Sequence, residues 1–186
     1  MAPIEVFFGA IVFVFALIGL VRGFLRELGV TLVMMFLLFF LSRFEPELDR
    51  GIVPLMHLGG RMFPGHEQEL LPCLALMFVL IGAAFVSYQG ETLAYAGQGV
   101  RGAQGVLLGL LVGLLNGYLI TGSLWYYMDK FGYPFTFLGF KADTLSPVAQ
   151  GILPFLPMRF LAQPVLLGQS LFLYLAVLLL IARVIR

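Results

Sequence analysis

The sequence predicts an all-α integral membrane protein, a helical bundle of about five transmembrane helices with short interfacial helices, and three observations carry that prediction. Of 186 residues, 61% are hydrophobic and 11% charged, with a mean hydropathy of +1.01, far from soluble averages. Apolar runs stand apart near 4–21, 28–42, 70–88, 106–127 and 165–185, and a helix needs roughly 20 such residues to cross a bilayer. At the fourth run, Gly105, Gly109, Gly113 and Gly117 recur at every fourth position. On a helix they form one bare stripe that lets a second backbone approach, a main source of helix association in lipid. Each Gly costs roughly 1 kcal/mol relative to Ala in a helix interior, so four in register mark this helix as the hub of a single membrane domain.

The first run is interrupted only by Glu5 near its start and is closed by Arg22 and Arg26. A secretory signal places its positive charge first, whereas here the charge follows the apolar stretch, so the segment reads as a retained helix with its N-terminus outside. The second run is short, and snorkelling Arg26 and Arg43 extend it at both ends. Residues 42–69 read as a solvent-facing loop in which Glu45, Glu47, Asp49, Glu67 and Glu69 oppose Arg43, Arg50 and Arg61. Within it, 51–62 mixes apolar residues with polar ends, as a segment lying on the membrane surface does. His57 and His66 match no zinc-ligand spacing, so no metal site is expected.

The third run tolerates Pro72 in its first turn, where a missing N–H costs nothing. Cys73 beside it reads as a small buried apolar residue, and as the single cysteine it forms no intrachain disulfide. Residues 89–104 are Gly-rich but hold no G-x-x-x-x-G-K-[ST] after a strand, so they read as a turn into the hub. Asn116 is the strongly polar residue deepest in any run and borders the glycine stripe. It reads as a hydrogen-bonding link to a neighbouring helix worth about 1 kcal/mol, with a pore-lining or substrate-binding Asn as the alternative. Residues 128–164 form a second long loop, and the rings of Trp125, Tyr126, Tyr127, Phe131, Tyr133, Phe135, Phe137 and Phe140 mark a membrane–water interface. Ser146 before Pro147 is a hydroxyl cap ahead of a residue preset for the first helical position, which predicts a short surface helix over 147–153. The last run ends on Arg183 and Arg186.

Counting Lys and Arg by side orients the chain. With five crossings and the N-terminus outside, the inner segments hold Arg22, Arg26, Arg101, Arg183 and Arg186 in little chain. The outer ones hold Arg43, Arg50, Arg61, Lys130, Lys141 and Arg159 in much longer stretches. Basic residues are then about twice as dense inside, the positive-inside pattern, which places the C-terminus in the cytoplasm.

The turn between the first two runs reads G-L-V-R-G-F-L-R-E-L over 19–28, and its Arg22, Gly23, Phe24, Arg26 and Glu27 resemble the R-G-F-x-R-E turn of the colicin V production protein family (CvpA). Ile4-Glu5 is similar to that family's Ile-Asp at the start of its first helix. Gly109, Gly113 and Gly117 are similar to its G-x-x-x-G-x-x-x-G helix, and Ser146-Pro147 with the following prolines to its C-terminal part. Two departures stand out: Arg101, Gly102 and Gln104 occupy the place of an Asp-Arg pair, and 165–185 is an additional final span. The resemblance implies a protein of the bacterial inner membrane associated with production or export of the peptide toxin colicin V and with cell-envelope function.

The residues themselves exclude more than they assign. A net charge of +1 with no basic run argues against nucleic acid. An enzyme is not expected, because G-x-S-x-G, H-E-x-x-H and paired intramembrane carboxylates are all missing from the sequence; nor is a cofactor. The expected partners are the lipid bilayer and a membrane protein, either a different one or a second copy. Three function classes stay open: a membrane factor of the family it resembles, a structural or assembly subunit of a larger complex, and a small-solute channel or transporter. The third is weakened because no run carries an ionisable residue at its middle, where coupled carriers place them.

Overall fold

The computed structural model describes residues 3–62, 69–90, 102–135, 139–140 and 142–184. The described chain is all-α apart from one small hairpin. Its helices are α1 Ile4–Arg22, α2 Phe24–Arg43, α3 Glu45–Met62, α4 Leu70–Gln89, α5 Gly102–Lys130, α6 Pro147–Ile152, α7 Pro157–Phe160 and α8 Leu171–Val184. Four of them, α1, α2, α4 and α5, are long and apolar enough to cross a membrane. Single 3-10 turns at Ala142–Thr144 and Leu153–Phe155 flank α6.

At three places the chain differs from its sequence reading. Residues 42–69 are not mainly loop, because a single residue, Phe44, separates α2 from α3, which runs for 18 residues. The start is legible afterwards: Glu45 and Glu47 sit at the positive end of the helix dipole, and Pro46 lies in the first turn, which tolerates it. Where the last crossing is expected, β1 Pro164–Leu166 pairs antiparallel with β2 Gln169–Ser170 before α8 begins. Leu167 and Gly168 make the turn at φ of 47° and 72°, left-handed values that no α-helix contains. Among the described residues the remaining helix has 14 residues; at 1.5 Å each these span about 21 Å, short of a hydrocarbon core of about 30 Å. Finally, the aromatic residues at the end of α5 and after it do not form an outward belt. Trp125 and Tyr127 of α5 and Phe131, Tyr133 and Phe135 beyond it are buried, with α7 packed on α5. Phe137 lies outside the described residues, as do His66 and 91–101.

The expected short helix is present as α6, capped as its sequence requires. Ser146 Oγ accepts from Ala149 N at 3.0 Å and donates to Glu5 Oε1 at 2.7 Å, which ties the α6 start to the α1 start. The bundle therefore has two ends. One holds the α1–α2 turn with the end of α4 and the start of α5; the other holds α3, α6, α7, the opposite ends of α1, α2, α4 and α5, and the start of α8.

The hub is α5, against which α1, α2, α4 and α7 all pack, α1 most extensively. The glycine stripe explains the α1 contact. A Cβ added at Gly113 would sit 2.5 Å from the Phe15 carbonyl oxygen and 3.0 Å from Gly19 Cα. One at Gly117 would sit 2.9 Å from Val12 Cα, and one at Gly109 2.6 Å from the Gly19 carbonyl oxygen. Real Cβ atoms do not approach backbone so closely, so the seam accepts only glycine. On the far side α2 is lodged between α5 and α8, which buries Val30, Leu32, Met34, Met35 and Leu38. In contrast α1 leaves Phe7, Phe13, Val14 and Val21 exposed, as a lipid-facing helix would.

Candidate functional site

Sequence places Glu27 in a boundary turn; the structure places it inside the bundle. Gly23 is the cause. Its φ of 88° and ψ of 157° lie in a region only glycine enters readily, and they end α1 and start α2 without an intervening loop. Glu27 therefore belongs to the first turn of α2 and points inward, with 0% of its surface exposed. A continuous helix would have put Arg22 and Arg26 on one face. The break at Gly23 separates them instead, Arg22 turning toward Glu27 and Arg26 staying exposed.

Donors on three helices converge on this one carboxylate of α2. Arg22 Nη1, at the end of α1, donates to Glu27 Oε1 at 3.1 Å. Tyr88 Oη, at the end of α4, donates to Oε2 at 2.9 Å, and Asn116 Nδ2, from α5, donates to the same oxygen at 2.8 Å. Arg22 is itself held: its Nη2 donates to the Tyr88 carbonyl at 3.0 Å, one of the acceptors a helix end leaves unpaired, and its guanidinium lies 4.6 Å from the Tyr88 ring centre.

Asn116 is fully used. Its amide nitrogen also donates to the Glu27 carbonyl at 3.0 Å, and its Oδ1 faces Thr31 Oγ1 at 2.7 Å. Two acceptors on one side and a hydroxyl on the other fix which way the amide points. Thr31 Oγ1 is also 3.0 Å from the Glu27 carbonyl, so its one proton serves either acceptor in turn. The reading of Asn116 as an interhelical link holds, and α2 is the helix it links to. Asn116 stands 14 residues from each end of α5, so the carboxylate reaches mid-hub although α2 has barely begun.

Beside this cluster, at the turn end, a cleft of about 350 Å³ is formed by Leu20 and 22–26 together with Gly102, Gly105 and Val106 of α5. Gly105 therefore lines the cleft with Phe24 and Arg26, while Gly109, Gly113 and Gly117 form the α1 seam. Among the described residues no group of three or more His, Cys, Asp or Glu is placed to hold a metal ion. Cys73 is buried in α4 with Met77 and the Tyr127 carbonyl each 3.8 Å from its sulfur.

Sequence reasoning missed Tyr88, Thr31 and the α1 half of the seam. Ala16 and Gly19, three apart in an otherwise bulky run, were a usable signal for the seam. Tyr88 and Thr31 carried none, because only the fold brings them to Glu27. No family model, curated protein or solved structure matches the chain.

Proposed function

We propose that the chain is a small protein of the bacterial inner membrane, of the CvpA kind its R-G-F-x-R-E turn resembles, acting as a binding and assembly component in toxin production or export and cell-envelope function rather than as an enzyme. The supporting observation is what the turn does. Arg22, Gly23 and Glu27 lock four helices together and hold open beside them a cleft lined by two arginines. A cleft of fixed shape beside such a rigid cluster suits a segment of a partner protein. The density of basic residues puts this end in the cytoplasm and the α1 start outside. In this reading α8, although only 14 residues long, crosses as a fifth span where the bilayer thins around it and returns the C-terminus to the cytoplasm.

A photo-crosslinking residue at Leu25, in the cleft, is expected to capture one membrane-protein partner or a second copy, whereas the same residue at Phe78, exposed on α4, captures lipid alone. Equal capture at both positions would remove the cleft from the reading. Orientation is checked by thiol labelling of Arg22→Cys and His57→Cys in a Cys73→Ala background, and labelling of both from one side would refute it. One observation favours a solute path as second reading: Glu27 is a buried carboxylate level with the middle of α5, the kind of group that carriers use. Solute uptake in proteoliposomes abolished by Glu27→Gln, with the fold intact, would support it over the assembly role.

A further inference from the structure

From the end of α6 into α7 the sequence runs G-I-L-P-F-L-P-M over 151–158, without one polar side chain. The polar residues that flank this run reach away from it. Gln150 Nε2 donates to the Leu145 carbonyl at 3.2 Å, back beyond the α6 start, and Arg159 Nη2 donates to Asp129 Oδ2 at 2.6 Å, at the end of α5. Ser146, just before α6, is bonded to Glu5 at the start of α1. The run is thus tied on both sides to the same end of the bundle.

The run itself sits deeper. A Cβ added at Gly122 would lie 2.5 Å from Pro157 Cδ and 3.6 Å from Phe8 Cε2, so Pro157 shares a level with Gly122 of α5 and Phe8 of α1. Next to Leu156, the Phe155 carbonyl accepts from Tyr118 Oη at 2.5 Å, and Tyr118 stands one helical turn further in than Gly122. Gly122 is about 9 Å along α5 from Asn116 at its middle, while half a hydrocarbon core is about 15 Å, which puts Pro157 about 6 Å below the core surface. The ruler of α1 agrees, since Phe8 lies about one turn inside Glu5.

Two faces complete the pattern. Ala149, Leu156, Pro157 and Met158 are buried on the bundle, whereas Val148, Phe155 and Phe160 are bare apolar side chains. Pro154 and Pro157 bring no N–H that would need a partner, and the Leu153 and Leu156 N–H groups donate to the Ala149 and Leu153 carbonyls. Non-helical backbone at membrane depth is tolerated where it packs on protein and its polar groups are met.

We infer that residues 147–160 form a re-entrant segment that enters the bilayer beside α5 and leaves it on the same side, with Val148, Phe155 and Phe160 against acyl chains. This placement rests on the membrane reading of the chain given above. It goes beyond that reading by putting into hydrocarbon a stretch whose sequence predicts a helix lying on the surface.

Depth is measured by fluorescence. Phe155→Cys, Asp143→Cys and Phe78→Cys are made singly in a Cys73→Ala background, labelled with a nitrobenzoxadiazole dye and reconstituted in phosphatidylcholine vesicles. The vesicles carry lipid with a nitroxide either on the headgroup or near the middle of the acyl chain. Phe78 is exposed on the crossing helix α4 and Asp143 is exposed ahead of α6, so the two bracket the scale. At position 155 the chain nitroxide is expected to quench more than the headgroup nitroxide, as at 78, with the order reversed at 143. Headgroup-dominated quenching at 155 beside chain-dominated quenching at 78 overturns the re-entrant segment alone and leaves a surface helix. Loss of chain quenching at 78 as well overturns the membrane reading together with it. Gly151→Cys, where a Cβ meets nothing within 4 Å, replaces Phe155→Cys if that variant does not fold, with the same expected order.

Discussion

Replacing Gly113 by alanine adds a single methyl group inside the α1–α5 seam, and the structure sets what that group meets. Its Cβ would lie 2.5 Å from the Phe15 carbonyl oxygen, 3.0 Å from Gly19 Cα and 3.1 Å from Ala16 Cα. Carbon–oxygen contacts settle near 3.3 Å, so the two helices must part by about 0.8 Å at this point. All three obstructing atoms belong to backbone, so no side chain can rotate away. Alanine's helix propensity advantage of roughly 1 kcal/mol does not compensate, because the helix keeps it whether docked or undocked. Overpacking of this kind costs about 1–3 kcal/mol, and at about 2–4 °C per kcal/mol for a chain of this size the melting temperature falls measurably. Thermal unfolding followed by circular dichroism in mild detergent is the assay. Gly82→Ala is the matched control, since a Cβ there meets nothing within 4 Å, and Leu111→Phe, half-exposed on α5, is the second. Equal melting temperatures for Gly113→Ala and Gly82→Ala would refute the seam.

Three further perturbations probe the turn and the cap. Glu27→Ala strands three donors around a buried void and is expected to cost about 3–5 kcal/mol, whereas Glu27→Gln keeps an acceptor oxygen and costs less; the two are ranked by urea unfolding of detergent-solubilised protein, and the reverse order would count against the cluster. Gly23→Ala forces a Cβ into backbone angles that only glycine enters readily and is expected to lose about 1–3 kcal/mol with no steric clash involved, since nothing lies within 4 Å of that Cβ; unchanged stability would mean the chain turns differently there. Ser146→Ala removes both the α6 cap and the bond to Glu5, for about 1 kcal/mol from the cap alone; hydrogen exchange at Ala149 should accelerate, and protection equal to that of the unaltered protein would disprove the cap.

Much of the fold was legible because membrane helices obey one-dimensional rules. Apolar length marked α1, α2, α4 and α5, the four-residue glycine period marked α5 as the helix others pack on, and Ser146-Pro147 marked α6. Each of these is a property of consecutive residues, so no knowledge of neighbours was needed. The reading failed where neighbours decide. In α3, charged and apolar residues alternate in a way that suits a loop or a helix equally. Contacts with α4 and α2, and Lys130 bonded to both Glu45 and Asp49, one helical turn apart on α3, select the helix. The aromatic residues at the end of α5 and after it have the composition of an interfacial belt, but most of them are buried in the bundle, where α7 packs on α5.

Glu27 shows the same division most sharply. By itself the sequence determined that an acid follows R-G-F at the mouth of an apolar hairpin, and that Asn116 lies within an apolar helix and must find a partner. Only the tertiary structure decided that they meet. Gly23 lets α2 begin within one residue of α1, the bare seam brings α5 within reach, and Tyr88 arrives from a helix 61 residues away in the chain. Buried polar groups need partners whatever their distance in sequence, so composition can announce the need while packing alone names the partner.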